Sequence, residues 1–391
     1  MFRPRDAFAI HDPTSGRTTR KRGRGERRGV CGEHGGQRGR RVHLGLRAAG
    51  SFEPEHDLPR NGRVDAWPRG FMLVARLRTC AEDMNAVTKF TLLALASLAW
   101  LTTALPARAQ TVYQTTSAYH HISVVDSGGY RILSFNGSWE SRVSLANPLA
   151  GHFEYCELLH TPWLWNPAMT NVLVVGLGGG STQRLYQHYY PYVNLDTVEL
   201  DPAVVAISKY YFQTTETARH KIHTMDGRVY LRRTQKKYDA ILMDAYSTGR
   251  YGSFIPYHLA TKEFFTLASA NLTENGVLCY NVIGNLNGFR ADILGSVYKT
   301  MRSVFPQVWM FPASDTGNVV LVGTKSKEPV TLAELEKRAR SLAKDKVVTV
   351  PNFDKRVRAF RAQPPANLSR VSVLTDDYAP VDGILTGNSR R

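Results

Sequence analysis

The sequence predicts an α/β fold in which a mostly parallel sheet is covered by helices on both faces, with a small antiparallel β unit ahead of it. Three observations carry this. A fully apolar run, Asn171-Val-Leu-Val-Val-Gly-Leu177, turns through glycines into a helix-forming stretch. Strand-like and helix-like segments then alternate down the chain, the pattern that builds a parallel sheet with crossover helices. Upstream, alternating residues are broken by the hairpin dipeptides Gly128-Gly129 and Asn136-Gly137.

Taken in order, the 391-residue chain opens on a basic stretch, residues 1–83, with 18 Lys+Arg against 10 Asp+Glu. It is dense in Arg and Gly and holds too little apolar surface to offset the entropy of ordering, so disorder is expected. Its run Arg17-Thr-Thr-Arg-Lys-Arg-Gly-Arg-Gly-Glu-Arg-Arg28 has the look of a nucleic-acid arm, but the following residues argue against a functional segment. Met84-Asn-Ala-Val-Thr-Lys-Phe90 is polar with one Lys, Phe90–Leu101 is almost unbroken apolar, and Ala107-Arg-Ala109 offers small residues for cleavage. Residues 84–109 therefore read as a secretory signal peptide. A signal works at an N-terminus, so translation is expected to begin at Met84 or Met72. The apolar run falls short of the roughly 20 residues of a stable span. Export to the periplasm or retention as an inner-membrane anchor is expected, and a cytoplasmic protein if the segment does not work as a signal.

Beyond Ala109 the balance is 30 basic to 23 acidic with no concentrated basic stripe, so most of the formal charge of +17 lies elsewhere and nucleic acid is not an expected partner. Cys156 and Cys279 stand far apart in apolar surroundings, giving neither a disulfide framework nor zinc spacing, and no metal is expected. A small β domain is expected over 111–165: His121–Val125, Tyr130–Phe135 and Ser138–Val143 are its strands, and a helical stretch follows around Phe153–His160. From 166 to 391 the alternation runs through strands at Asn171–Leu177, Leu195–Asp201, Lys221–Thr224, Ala240–Met243 and Val277–Val282. Helices are expected at Ser181–His188, Pro202–Tyr211, Lys262–Ala270 and Arg290–Val304. In such a sheet ligands bind beyond the carboxyl ends of the strands.

Those ends carry the chemistry. Gly176-Leu-Gly178-Gly179-Gly180-Ser181 lets backbone approach a ligand and aims helix N–H groups at it. Glu199 ends the next strand, 23 residues after Gly176, where a carboxylate accepts both ribose hydroxyls of an adenosine. Asp226 follows the third strand, positioned for an adenine amino group, and Asp244 follows the fourth, in Met243-Asp244-Ala-Tyr246-Ser247. In series, Gly176, Gly178, Gly180, Glu199 and Asp226 describe an adenosine cradle with Asp244 left over at its centre. The fold they point to is a Rossmann-like methyltransferase fold. The G-x-G-x-G spacing disfavours an NAD oxidoreductase.

The stretch Val172–Val282 resembles the spermidine synthase (polyamine aminopropyltransferase) family. Tyr119-His-His-Ile-Ser-Val124, Leu133-Ser-Phe-Asn-Gly-Ser-Trp-Glu140 and Phe153-Glu-Tyr155-Cys-Glu157-Leu-Leu-His160 resemble its N-terminal β domain and Tyr-x-Glu segment. Leu374-Thr-Asp376-Asp377-Tyr378-Ala-Pro380 resembles a closing motif of the branch related to membrane-fused forms, whose dialect the glycine string and Asp244-Ala-Tyr-Ser247 share. The resemblance implies transfer of an aminopropyl group from decarboxylated S-adenosylmethionine to a polyamine or related amine, with Asp244 taking the proton. The chain departs from the family pattern in two places. The glycine string lacks the Asp that contacts the donor's ammonium, and Ala245–Arg250 lacks the second Asp that grips the diamine. Glu140, Glu157, Asp376 and Asp377 are candidates to restore that charge, and Tyr246, Tyr257 and His258 to line the acceptor side. S-adenosylmethionine as co-substrate of a methyltransferase is the alternative on the same cradle. An exported, non-catalytic polyamine- or nucleoside-binding protein is a further one. The expected partners are the small-molecule amine, the inner membrane through 84–109, and a second copy of the chain as a homodimer.

Overall fold

The structure, a computed structural model, describes residues 109–249, 252–288 and 290–381, with position 91 in addition. The basic stretch at 1–83 and, apart from Thr91 and Ala109, the expected signal at 84–109 lie outside these residues. Among the described residues no helix is long and apolar enough to cross a membrane.

Four strands form an antiparallel sheet in chain order: β1 (Gln110–Thr116), β2 (His121–Ser127), β3 (Tyr130–Phe135) and β4 (Ser138–Ser144). The two hairpins turn where the glycine dipeptides stand. Gly128 and Gly129 have φ of 58° and 81°, and Asn136 and Gly137 50° and 86°, the doubly left-handed turn whose twist matches the strands. The sequence reading begins the unit one strand late, because β1 is a polar edge strand with weak alternation.

The second sheet has seven strands. β5 (Asn171–Val175), β6 (Asn194–Glu199), β7 (His220–Thr224), β8 (Tyr238–Met243) and β11 (Leu272–Ile283) run parallel. A two-stranded hairpin of β9 (Ser247–Gly249) and β10 (Gly252–Phe254) follows β8 outside this sheet. The far edge is built by β12 (Gln307–Pro312) and β13 (Asn318–Thr324), in the order β12-β13-β11-β8-β5-β6-β7. β13 pairs antiparallel with both neighbours, so the other six strands share one direction. This is the mostly parallel sheet expected, extended by two strands that the sequence reading leaves unassigned.

The helices are α1 (Tyr155–Leu158), α2 (Ser181–Tyr189), α3 (Pro202–Tyr211), α4 (Gly227–Arg233), α5 (Lys262–Asn271), α6 (Ala291–Arg302), α7 (Leu332–Lys344) and α8 (Phe353–Arg356). Strand residues alternate between two cores, as a sheet covered on both faces requires. Val172, Val174 and Leu242 pack with Leu185 and Tyr186 of α2 and Leu335 of α7. Leu173, Val175 and Ile241 pack with Tyr230 of α4, Phe264 of α5 and Leu294 of α6. A third cluster seats the antiparallel sheet on the body: Ile122, Val124 and Leu133 meet Val204 and Ile207 of α3. Each such buried side chain is worth roughly 1.5–3 kcal/mol relative to exposure, which is why β4 is held against the glycine turn described next.

Candidate active site

Strand order reverses between β5, from which the chain winds towards β7, and β8, from which it winds towards β12. The crevice beyond those two strands is the switch point at which doubly wound sheets bind ligands. A cleft opens there, lined by the turn after β5, the ends of β6, β7 and β8, and β4 from the antiparallel sheet.

At its floor Gly176 adopts φ 105°, and its N–H donates to the Val198 carbonyl at 2.8 Å. A Cβ there would lie 2.1 Å from the Asp244 carbonyl oxygen, so only glycine permits the β5 and β8 ends to touch. Gly178 and Gly180 are also left-handed, at 51° and 69°, and Gly180 caps α2 without a side chain. Buried Arg184 braces the turn from behind, donating to the carbonyls of Gly179 and Phe212.

Glu199 links three pieces of this edge. Its Oε2 accepts from the Leu177 N–H at 3.0 Å and its Oε1 from the Asp201 N–H at 2.9 Å. Burial pushes this carboxyl above the ordinary glutamate range against those N–H groups. Each oxygen keeps a second lone pair, so the group can still accept two hydroxyls. Asp226 caps α4 through Oδ1, which accepts from Val229 N–H at 2.9 Å, and its Oδ2 meets His258 Nε2 at 2.7 Å. The His258 contact holds the Asp226 carboxyl below its usual range despite partial burial. His258 joins the cleft wall beside Asp226, at the edge read for adenine and not on the acceptor side where the sequence reading puts it, whereas Tyr257 is exposed and does not line the cleft.

Asp244 stands at the centre. Its Oδ1 accepts from Asn281 Nδ2 at 2.8 Å, and the Tyr155 hydroxyl also bonds it. Burial raises this carboxyl to about 7, against the Asn281 and Tyr155 hydrogen bonds and with the help of Glu140's like charge. A carboxyl so placed exchanges a proton at neutral pH. Asn281 is itself oriented by Asn318, whose Nδ2 donates to Asn281 Oδ1 at 2.9 Å.

The structure sorts the other acids. Glu140 lines the cleft, but Glu157, Asp376 and Asp377 do not. Glu157 is engaged by Arg356 and stands 3.4 Å from His152; burial, which would raise its carboxyl, is outweighed by these two partners and it is held low. Asp376 forms a two-pronged pair with Arg228 of α4 at 2.7 and 2.6 Å and accepts from Thr261 at 2.7 Å. That pair docks the chain's closing motif against α4, and Asp377 beside it is exposed. Tyr246 lines the cleft with its ring, but its hydroxyl donates to Asn281 O at 2.6 Å and accepts from Ile283 N–H at 2.8 Å, tying the β8 end to β11. Tyr155, Asn281 and Ser141 are contributors absent from the sequence-based list. Asn281 was legible as the one strongly polar residue in the apolar segment Val277–Val282; Ser141 carried no signal.

The fold and the cleft together define a group-transfer enzyme on a Rossmann-like methyltransferase fold. The spermine/spermidine synthase domain matches residues 152–327. A polyamine aminopropyltransferase of Vibrio vulnificus is 31% identical over 241 residues, 59% of this chain and 77% of that protein. A probable polyamine aminopropyl transferase of Bifidobacterium longum is 26% identical over 285 residues, 69% of this chain and 61% of that protein. The structure of a probable spermidine synthase from Corynebacterium glutamicum shares the fold, with TM-score 0.50 at 22% identity, covering 65% of this chain and 96% of that one. The chain belongs to the spermine/spermidine synthase family, and it is a transferase. Among the described residues no group of three or more His, Cys, Asp or Glu is placed to hold a metal ion.

Proposed function

We propose that the protein transfers an aminopropyl group from decarboxylated S-adenosylmethionine to a polyamine or related amine, with Asp244 as the base. The observation that carries this reading is a carboxyl at about 7, oriented by Asn281 and Tyr155, at the centre of a cradle suited to adenosine. The residues present fit such a donor: glycines where a Cβ would fill the floor, Glu199 for the ribose hydroxyls and Asp226 for the adenine edge. When bound, the donor supplies a methylene made electrophilic by its sulfonium. The amine nitrogen bonds to that carbon, the carbon–sulfur bond breaks with its electron pair kept on sulfur as methylthioadenosine, and the amine's proton passes to Asp244. The chain's part is to orient the amine in line and accept that proton.

The test is product analysis of purified protein given each donor with a panel of amines. Methylthioadenosine and a lengthened polyamine from the decarboxylated donor are expected. S-adenosylhomocysteine from S-adenosylmethionine would instead make the protein a methyltransferase. Glu199→Ala is expected to weaken methylthioadenosine binding by about 10- to 150-fold in calorimetry, the loss of a charge-assisted hydrogen bond. Unchanged affinity in the folded variant would remove Glu199 from the cradle.

A further inference from the structure

We propose that Glu140 is the anchor for the donor's terminal ammonium, taking the place of the carboxylate that the glycine string lacks. This rests on the aminopropyl-transfer reading above and names the group of the chain that reads the transferred tail. Within the glycine string that lacks this acid, Gly179 has no room for a side chain. A Cβ on Gly179 would stand 2.9 Å from Ser141 Cβ and 3.0 Å from Phe212 Cδ1, and the Gly179 N–H donates to Ser141 Oγ at 2.9 Å. β4 therefore occupies the space that a side chain at 179 would need, and Glu140, the residue before Ser141, is brought in with it.

The aim of Glu140 comes from a β-bulge. In the β3–β4 ladder Leu133 faces Ser141 and the next pair is Ser134 with Trp139, which leaves Glu140 as the extra, unpaired residue. Such an insertion turns a side chain away from its place in the alternation, a device found beside active sites. Here the carboxyl lines the cleft with Asp244. Its Oε1 accepts from Ser253 Oγ at 2.6 Å, Ser138 Oγ lies 2.9 Å from Ser253 Oγ, and so β4 and β10 hold it. Burial pushes its carboxyl up, and its charge in turn raises that of Asp244. Two carboxyls that burden each other in a shared, partly dry cleft are relieved when a cation arrives between them. Glu140 adjoins Ser141, whose Oγ accepts from the Gly179 N–H of the glycine turn, so the cation assigned to it is the ammonium at the end of the aminopropyl arm.

The experiment compares decarboxylated S-adenosylmethionine, which carries that ammonium, with methylthioadenosine, which does not. Glu140→Gln keeps the size of the side chain and an oxygen for Ser253. It is expected to weaken binding of the decarboxylated donor by about 10- to 100-fold in calorimetry while methylthioadenosine affinity holds, which also reports an intact cradle. Ser253→Ala keeps the carboxylate and removes the hydroxyl, and it is expected to retain the preference for the decarboxylated donor. Equal loss for both ligands in Glu140→Gln, or loss of the preference in Ser253→Ala, would make Glu140 a brace for the β9–β10 hairpin and overturn the assignment. A parent protein that turns over the decarboxylated donor beside a Glu140→Gln variant with unchanged preference would overturn it while leaving aminopropyl transfer standing. A parent that fails to turn over the decarboxylated donor would defeat both.

Discussion

Asp244→Asn is expected to lower turnover by roughly 10²- to 10⁴-fold, because the amide keeps the shape and the Asn281 contact but cannot accept a proton. Methylthioadenosine affinity should change little, since the proposed cradle assigns the adenosine contacts to Glu199 and Asp226. The parent's kcat/KM should rise with pH and level off above about 7, as the raised carboxyl ionises. The same shift has a stability consequence of known sign. Between the ordinary aspartate range and about 7 the folded protein holds a proton that the unfolded chain has released, so this group's stabilisation is lost as pH rises through about 7. The variant should thus gain melting temperature over the parent at about pH 8 and gain little at about pH 5, within an upper bound of about 4 kcal/mol. Near-normal turnover in Asp244→Asn would remove Asp244 as the base. A flat pH profile across neutrality would show that its carboxyl is already ionised.

Gly176→Ala is expected to be the most damaging substitution of a single methyl group. Two costs add: a left-handed φ of 105° that alanine rarely adopts, and a Cβ placed 2.1 Å from a backbone carbonyl oxygen. Backbone strain and overpacking each cost about 1–3 kcal/mol, so a loss of roughly 2–6 kcal/mol is expected in chemical denaturation. The carbonyl cannot yield without parting the β5 and β8 ends, whose bond from Asp244 N–H to Val175 O is 2.8 Å. Adenosine binding should therefore fall together with stability. Gly128→Ala makes the control, because a Cβ there meets nothing within 4 Å and only the left-handed φ is penalised. Similar losses in the two variants would show that conformation alone, and not the contact between strand ends, makes Gly176 necessary.

The parallel half of the sheet was legible in the residues because buried parallel strands are continuous apolar runs bounded by turns. The helix Pro202–Tyr211 matches the structure to the residue, and the strand read at Asn171–Leu177 starts where β5 does but overruns its end by the two residues that begin the glycine turn. β12 and β13 were less legible although equally apolar, because they follow one another without a helix between them and so break the alternation. α7 carried a readable start, with Thr331 and Glu334 in a reciprocal capping box, yet it lies beyond the last element expected.

For the site, the sequence by itself determined which residues end the strands. A strand's period and direction place Gly176, Glu199, Asp226 and Asp244 at one edge without knowledge of any contact. Only the tertiary structure decided which acids beyond that edge face the cleft, since nothing in the sequence around Glu140, Glu157 and Asp376 separates them. Glu157 and Asp376 met arginines, Arg356 and Arg228, more than 100 residues away in the chain and were neutralised outside the cleft. Glu140 met hydroxyls and a bulge, and lines the cleft with no arginine of the described residues on it. The physical reason is that local pattern sets where a side chain lies along its own element, while the free energy of a charge depends on the partners and the solvent that packing brings to it.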